Sequence, residues 1–336
     1  MNDGAGGILC AYNLRSRRGK HVWRSLSAHL EREGLAERVR GIPIDALPRG
    51  LSEDWRPERV VAVGGDGTVN ALASWLLERG QGACGTPLGI VPAGTGNNLA
   101  RTLGIPRDAE RATAIALQGS RHRRIDAIRC RPLGSEDPST PGEASGAGSP
   151  VHYMVQAGAW GFPAATAARF AELRRGRLFR ILARPFGKLV YLALAWQGLG
   201  RLEESLRSGR RGGVLEVEAV LPGEVVQTEA LAVFAGNDPT LGGGFRPCPR
   251  ARLDDGRFDL CIVKARGRQT LENLLRRVLR GDHLPLADQV LYRQCAGPVE
   301  LRFRSPAEIL VDGEIASPVR RCRLETLPSA LTVIVG

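Results

Sequence analysis

Apolar and polar positions repeat with two different periods along the chain, and the change of period divides it. Gly7-Ile8-Leu9-Cys10-Ala11-Tyr12 is a short apolar run that reads as a buried strand, entering a basic turn over Asn13 to Lys20. A helix is expected from His21 to Glu33, ended near Gly34. Val60 to Val63 is a second apolar run, stopped abruptly by Gly64-Gly65-Asp66-Gly67-Thr68, and Val69 to Glu78 then reads as a helix followed by Gly80. Pro87 to Pro92 repeats the pattern, with a loop over Ala93 to Asn97 and a helix from about Asn98. Strand, loop and helix in this rotation predict an α/β layer on a mostly parallel sheet.

The texture changes after Asp126. Pro132 to Pro150 is rich in Pro, Gly and Ser and predicts a mobile surface loop. Val214 to Val220 then alternates as a half-buried strand does. Further strands are expected over Ala230–Ala235, Phe258–Val263, Val299–Phe303, Glu308–Val311 and Ala330–Val335, with a helical insertion around residues 164–206. The pattern therefore predicts an α/β domain over residues 1–127 and a β-rich domain over 128–318, with a tail of about 319–336 returning to the first.

Composition narrows the function classes. The 336 residues are 43% hydrophobic and 24% charged, a globular balance with room for two cores. A formal net charge of +12 favours anionic partners: nucleotides, nucleic acid or an acidic membrane surface. The seven cysteines lie far apart with no Cys-x-x-Cys pair, which argues against a zinc site or a disulfide framework and for reduced cytosolic thiols. No stretch approaches the roughly 18–20 apolar residues of a membrane span. With no leader pattern in the first thirty residues, a cytoplasmic protein with at most peripheral membrane contact is expected.

The chemistry lies in the glycine loops. Gly64-Gly65-Asp66-Gly67-Thr68 follows a strand and precedes a helix, where glycines let backbone amides approach phosphate oxygens and the helix N-terminus adds positive potential. Asp66 is out of place in an anion cradle unless it handles a cation, most simply the Mg²⁺ that accompanies ATP. A tight strand-to-helix turn capped by Asp explains the same residues. There is no P-loop motif and no complete Gly-x-Gly-x-x-Gly fingerprint. A second loop, Pro92-Ala93-Gly94-Thr95-Gly96-Asn97-Asn98, arises at the next strand end, and two such loops at neighbouring strand ends face one crevice.

This pair of loops, extended through Val69-Asn70 and Leu99-Ala100-Arg101, resembles the signature of the diacylglycerol kinase catalytic domain family, which includes bacterial lipid kinases and the sphingosine and ceramide kinases. Asn13-Leu14-Arg15-Ser16-Arg17 sits where that family has Asn-Pro-x-Ser-Gly, so the proline and glycine are replaced. Arg124-Ile125-Asp126 resembles its Ile-Asp element. Gly236-Asn237 with Gly242-Gly243-Gly244, then Leu253 to Asp259 and Val311-Asp312-Gly313-Glu314, resemble its later motifs in the same order. A family Thr followed by a His-Ala pair is absent between residues 39 and 58, and Asn98 stands where many members carry Asp.

The resemblance implies an α/β + β fold: an N-terminal three-layer α/β nucleotide-binding domain of the NAD kinase/diacylglycerol kinase kind, followed by a β-sandwich-like domain with a helical insertion. It implies an ATP-dependent lipid kinase using Mg²⁺. The phosphates would be held by backbone around Gly64, Gly65, Gly67, Thr68, Gly94 and Thr95, with Asn13, Arg15, Arg17, Asn70 and Asn97 assisting. Asp66 would organise the ATP-bound Mg²⁺, Asp312 or Glu314 would be the base, and Asp126 would assist. The two acids share a face only if a strand runs on through Gly313. A structural metal is implied near Asp255, held partly by main-chain carbonyls of Arg252 and Arg257, although Asp254-Asp255-Gly256 alone reads as a hairpin turn. Arginines 174, 175, 177, 180 and 184, followed by the apolar run Phe186 to Leu199, suggest a lipid-facing entrance over residues 170–199 for docking on anionic membranes; a solvated arginine face above a core helix is the plainer reading. The partners expected are a lipid substrate and no nucleic acid, with a homodimer left open. The rivals are a NAD kinase and a weakly catalytic lipid- or nucleotide-binding protein.

Overall fold

The computed structural model describes residues 7–14, 17–32, 34–47, 55–82, 85–134, 150–175, 193–194, 196–198, 200, 213–265 and 271–336. These fall into two compact units. The first comprises Met1–Ala127, Leu253–Gly256 and Leu327–Gly336; the second comprises Ile128–Arg252 and Arg257–Thr326.

In the first unit the order is β1 (Ile8–Tyr12), α1 (Arg17–Arg32), β2 (Val39–Pro43), β3 (Arg59–Gly64), α2 (Asp66–Glu78), β4 (Leu88–Pro92), α3 (Asn98–Thr102) and α4 (Ala109–Gln118). The chain then enters β5 (His122–Pro132). Four parallel strands lie in the order β2-β1-β3-β4. β1, β3 and β4 are almost wholly buried, which is why each reads as an unbroken apolar run and not as an alternation. The strand order reverses direction between β1 and β3, and ligands of open parallel sheets bind outside the carboxyl ends of strands at such a reversal. The residue after β1 is tied to β3 there: the Asn13 amide donates to the Val63 carbonyl at 3.3 Å.

Two helix starts differ from expectation. α1 begins at Arg17, four positions before the predicted start. α2 begins at Asp66, so Asp66, Gly67 and Thr68 form its first turn and are not loop. Its buried stripe of Val69, Leu72, Ala73 and Leu76 carries the helical period, and the glycines before it masked how early the helix starts.

The second unit is antiparallel. It contains β6 (His152–Met154), β7 (Ala157–Gly161), α5 (Phe162–Arg175), β8 (Leu215–Leu221), β9 (Glu224–Gly236), β10 (Phe258–Lys264), α6 (Leu271–Arg280), β11 (Val290–Cys295) and β12 (Val299–Val311). Most of β13 (Glu314–Ile334) also belongs to it. The strand order is β11-β10-β9-β7-β12-β13, and β8 pairs with both β9 and β12. The two-residue period separates two cores. Phe258, Leu260 and Ile262 of β10 join Trp160, Leu301 and Phe303 on one face. Cys261 and Val263 join Phe234 on the other, where Leu274 and Val278 of α6 cover them.

The expected runs Val299–Phe303 and Glu308–Val311 are one strand, β12, with its register shifted between Arg302 and Ala307. The predicted loop over 132–150 lies largely outside the described residues. So does most of the helical insertion beyond Arg175.

Candidate active site

The two glycine loops of the first unit are in backbone contact. A Cβ on Gly94 would lie 2.4 Å from the Cα of Gly65, and one on Gly96 would lie 2.7 Å from Asp66 Oδ2. A side chain at Gly94 would part the loops, and one at Gly96 would displace the Asp66 carboxylate. Ala93 donates its amide to the Gly64 carbonyl at 2.8 Å, extending the β3–β4 ladder into the junction. Asn97 takes a left-handed conformation, φ 50°, and clamps its own loop: its Oδ1 accepts from the Gly94 amide at 3.0 Å and its Nδ2 donates to the Gly94 carbonyl at 2.9 Å. Asp66 links the loops, since its Oδ1 accepts the Leu99 amide at 3.3 Å.

α2 starts here without a side-chain cap, so its first amides face outward with the positive end of the helix dipole behind them. The Thr68 amide is the exception, because it donates to the Gly65 carbonyl at 2.9 Å. Thr68 Oγ1 is buried without a protein partner. Thr95 is exposed at the loop tip, and Asn70 sits one turn into α2, partly buried. Beside the second loop lies a hollow of about 170 Å³ lined by Pro92, Asn97, Ala100, Arg101, Ile105 and Arg107. Arg101 donates to the buried Asn98 at its edge. Asn13 is the first residue after β1; Arg15 and the side chain of Arg17 lie outside the described residues.

Asp126 is buried and ties together the three segments of the first unit. Its Oδ2 accepts the Gly256 amide and its Oδ1 the Ser329 amide, both at 2.7 Å, while its own amide donates to the Leu253 carbonyl. Arg123 and Asp254 add a partly exposed ion pair at 2.9 Å. Asp254-Asp255-Gly256 is therefore not a hairpin turn: it is a piece of the first unit between two stretches of the second, and Gly256, φ 69°, makes its bend. Asp255 is half-buried, while the side chains of Arg252 and Arg257 are exposed. Among the described residues no three His, Cys, Asp or Glu side chains converge as metal ligands.

In the second unit Asp312 and Glu314 do not share a strand face. Asp312-Gly313 is the turn between β12 and β13, closed by the Val311–Glu314 pair. Both turn residues have positive φ, 46° and 96°, the tight geometry that matches the strand twist. Asp312 is turned inward and buried, whereas Glu314 is exposed. The Asp312 carboxylate accepts three backbone amides: Val155 at 2.8 Å, Gln156 at 3.0 Å and Ala157 at 2.7 Å. The Gln156 carbonyl in turn accepts the amides of Asn237 and Asp238, and Asn237 Nδ2 donates to the Val155 carbonyl at 2.9 Å. Gly236-Asn237 is thus wired to Asp312 through Val155 and Gln156. Nothing in the local sequence of those two residues signals this, because the link is made by their backbone.

Other chemistry is scarce. The described cysteines are all free and buried, and burial pushes the Cys10 thiol up to about 12, so it stays protonated and unreactive. No helix among the described residues is long and apolar enough to cross a membrane. On the helix-covered face of the second unit a narrow apolar cleft opens between α5, α6 and the sheet, lined by Phe162, Leu231, Phe234, Phe245, Leu274 and Val278.

Residues 9–130 match the diacylglycerol kinase catalytic domain. That part of the chain belongs to the diacylglycerol kinase catalytic domain family. Residues 205–335 match the YegS C-terminal NAD kinase beta sandwich-like domain. Similar proteins include one named "Probable lipid kinase YegS-like" from Stenotrophomonas maltophilia, 27% identical over 91% of this chain and 86% of its own. A diacylglycerol kinase of Mycobacterium tuberculosis is 28% identical over 82% of this chain and 76% of its own. Among solved structures, a diacylglycerol kinase from Bacillus anthracis superposes with a TM-score of 0.66 at 19% identity, covering 98% of this chain and 97% of that one. That structure shares the fold, a mixed α/β chain. The catalytic-domain match spans both glycine loops and Asp126, and the β-sandwich match spans Asn237, Asp255, Asp312 and Glu314.

Proposed function

We propose that the protein transfers the γ-phosphoryl group of ATP to the hydroxyl of a lipid such as diacylglycerol or a related lipid alcohol. The observation that carries this reading is the backbone contact of the two glycine loops at the start of an uncapped helix, beside the reversal of strand order. Such a junction offers amide donors and positive potential but admits no side chain, which suits a polyphosphate. Gly65, Gly67, Gly94 and Thr95 would cradle the phosphates, with Asn13 and the arginines of the first loop beside them.

Thr68 Oγ1, buried and without a protein partner, fits a role toward the nucleotide or its ion. Asp66 lies where both loops meet and would hold Mg²⁺, which when bound would neutralise charge on the phosphates. The lipid oxygen attacks the γ-phosphorus, its proton passes to a carboxylate, and ADP leaves with the electrons of the broken bond. Three amide donors on Asp312 suit it to fixing the turn more than to taking a proton, which favours its exposed neighbour Glu314 as the base. Asp126 would act from beneath, by holding the segment that carries Asp255 and its implied metal. The cleft of the second unit is lined by apolar side chains alone; its free space of about 50 Å³ is too small for an acyl chain, so it supports the reading only as an apolar surface.

The test incubates the protein with γ-labelled ATP, Mg²⁺ and lipid alcohols in mixed micelles and counts label in the organic phase. Label is expected in a lipid product, and Asp66→Ala and Glu314→Gln are expected to lower it by at least about a hundredfold. A folded protein that labels no lipid yet phosphorylates NAD would overturn the proposal.

A further inference from the structure

Trp196 differs from the other described tryptophans. Trp55, Trp75 and Trp160 are buried, Trp23 is stacked on Tyr12, and Trp196 is 41% exposed. Its ring is held: the Arg276 guanidinium lies over it, 5.9 Å from the ring centre. Two positions further on, Gly198 packs on Phe162 so closely that a Cβ would come within 2.9 Å of the ring. Phe162 lines the apolar cleft, as do Leu274 and Val278 of α6, the helix that carries Arg276. An exposed tryptophan and its arginine are therefore fixed to the two walls of one apolar opening.

We propose that Trp196 and Arg276 form an interfacial anchor that seats the mouth of this cleft on an anionic lipid bilayer. α6 sends Leu274, Leu275 and Val278 inward and presents Asn273, Arg276 and Arg280 outward. It carries three arginines against one acid, Glu272, which is paired with Arg276. Charge complementarity thus points to an acidic surface. An indole ring prefers the boundary between headgroup and acyl chain, where its apolar body and N–H are both accommodated. The guanidinium above it can reach lipid phosphates while keeping its cation–π contact. The segment the sequence suggested as the lipid entrance, 170–199, thus contributes one end of the anchor, and a helix some eighty positions later contributes the other. The inference rests on the lipid-kinase reading for its purpose, because a protein seated on the bilayer meets a lipid substrate without drawing it through water.

The test uses the full chain with phosphatidylcholine vesicles, with and without phosphatidylglycerol, and follows tryptophan emission in the wild type and Trp196→Phe. With phosphatidylglycerol, the wild type is expected to shift to the blue and to be quenched by chain-brominated lipids, and Trp196→Phe is not. Vesicle affinity should fall about tenfold in Trp196→Ala and several-fold in Arg276→Gln, with Arg276→Lys retaining most of it. Thermal melting of each variant separates these effects from misfolding. Bound wild type whose Trp196 is unquenched, or Trp196→Ala that binds as tightly, overturns the anchor. A blue shift that follows protein concentration without lipid also overturns it, by assigning the surface to a second copy. Label transfer in mixed micelles keeps the two readings apart: an anchor that fails while micellar lipid is labelled fails alone, and an anchor that holds without labelling removes only the kinase.

Discussion

Asp66-Gly67 and Asp312-Gly313 are the same dipeptide used in opposite ways. At Asp66 the chain enters a helix, and the carboxylate stays half-buried at a loop junction, with the Leu99 amide on its Oδ1. At Asp312 both residues adopt positive φ, the chain reverses, and the carboxylate turns inward to gather three amides. The neighbours decide the outcome. Gly64-Gly65 precede Asp66, and residues of helical period follow it, whereas Asp312-Gly313 lies between alternating strands that need a tight turn. The lesson is that an acid before glycine is left at the surface of a loop junction where a helix begins, and is drawn into the fold where a tight turn aims it at backbone amides.

The largest expected effect separates the two acids by stability. Asp312→Ala strands buried amides and should cost about 4 kcal/mol, whereas Asp66→Ala should cost about 1 kcal/mol while removing activity. Urea melts and label transfer on both variants check this, and equal stability losses would break the comparison. Next comes Gly94→Ala, which sets a Cβ against the Gly65 backbone and should cost about 3 kcal/mol together with ATP affinity, read by calorimetry. Gly313→Ala meets open space, so only its φ of 96° is penalised. A loss of about 1–2 kcal/mol in melting, with little change in ATP binding, is expected.

The smallest effect lies on the β12–β13 face. Glu300 accepts from Arg302 and Arg321, each at 2.7 Å. Partial burial pushes its carboxyl up, but the two guanidinium hydrogen bonds outweigh it and hold the group below the usual carboxylate range. A depressed folded-state value gives stability that is present above the unfolded value and lost as pH falls through the folded one. Glu300→Gln should therefore cost about 1 kcal/mol at neutral pH, and the gap to wild type should close below about pH 4. Melting both proteins across that range is the check.

Strands β1, β3 and β4 and the loops they lead into were legible because burial on both faces and glycine punctuation are written in consecutive residues. The start of α2 was not, since Gly67 in a helix and Gly67 in a loop look alike until the Leu99 amide arrives to hold Asp66. Asp126 was marked as a candidate, but its bonds reach Gly256 and Ser329, 130 and 203 positions away, and no local pattern encodes them. The three amides on Asp312 come from residues 155 to 157 positions distant and were invisible for the same reason. Local chemistry named the acids, and long-range backbone contacts decided what each of them does.

The first unit draws on residues 327–336 and has the Ser329 amide on Asp126, with Val333 paired to Leu88. On the ribosome this has a consequence for timing. The two glycine loops are made early, but the sheet edge beside β4 and the latch on Asp126 stay open until translation has passed residue 334. A nascent chain stalled before Leu327 would therefore carry a finished glycine junction on an unfinished unit, a stage at which chaperones would be its natural company.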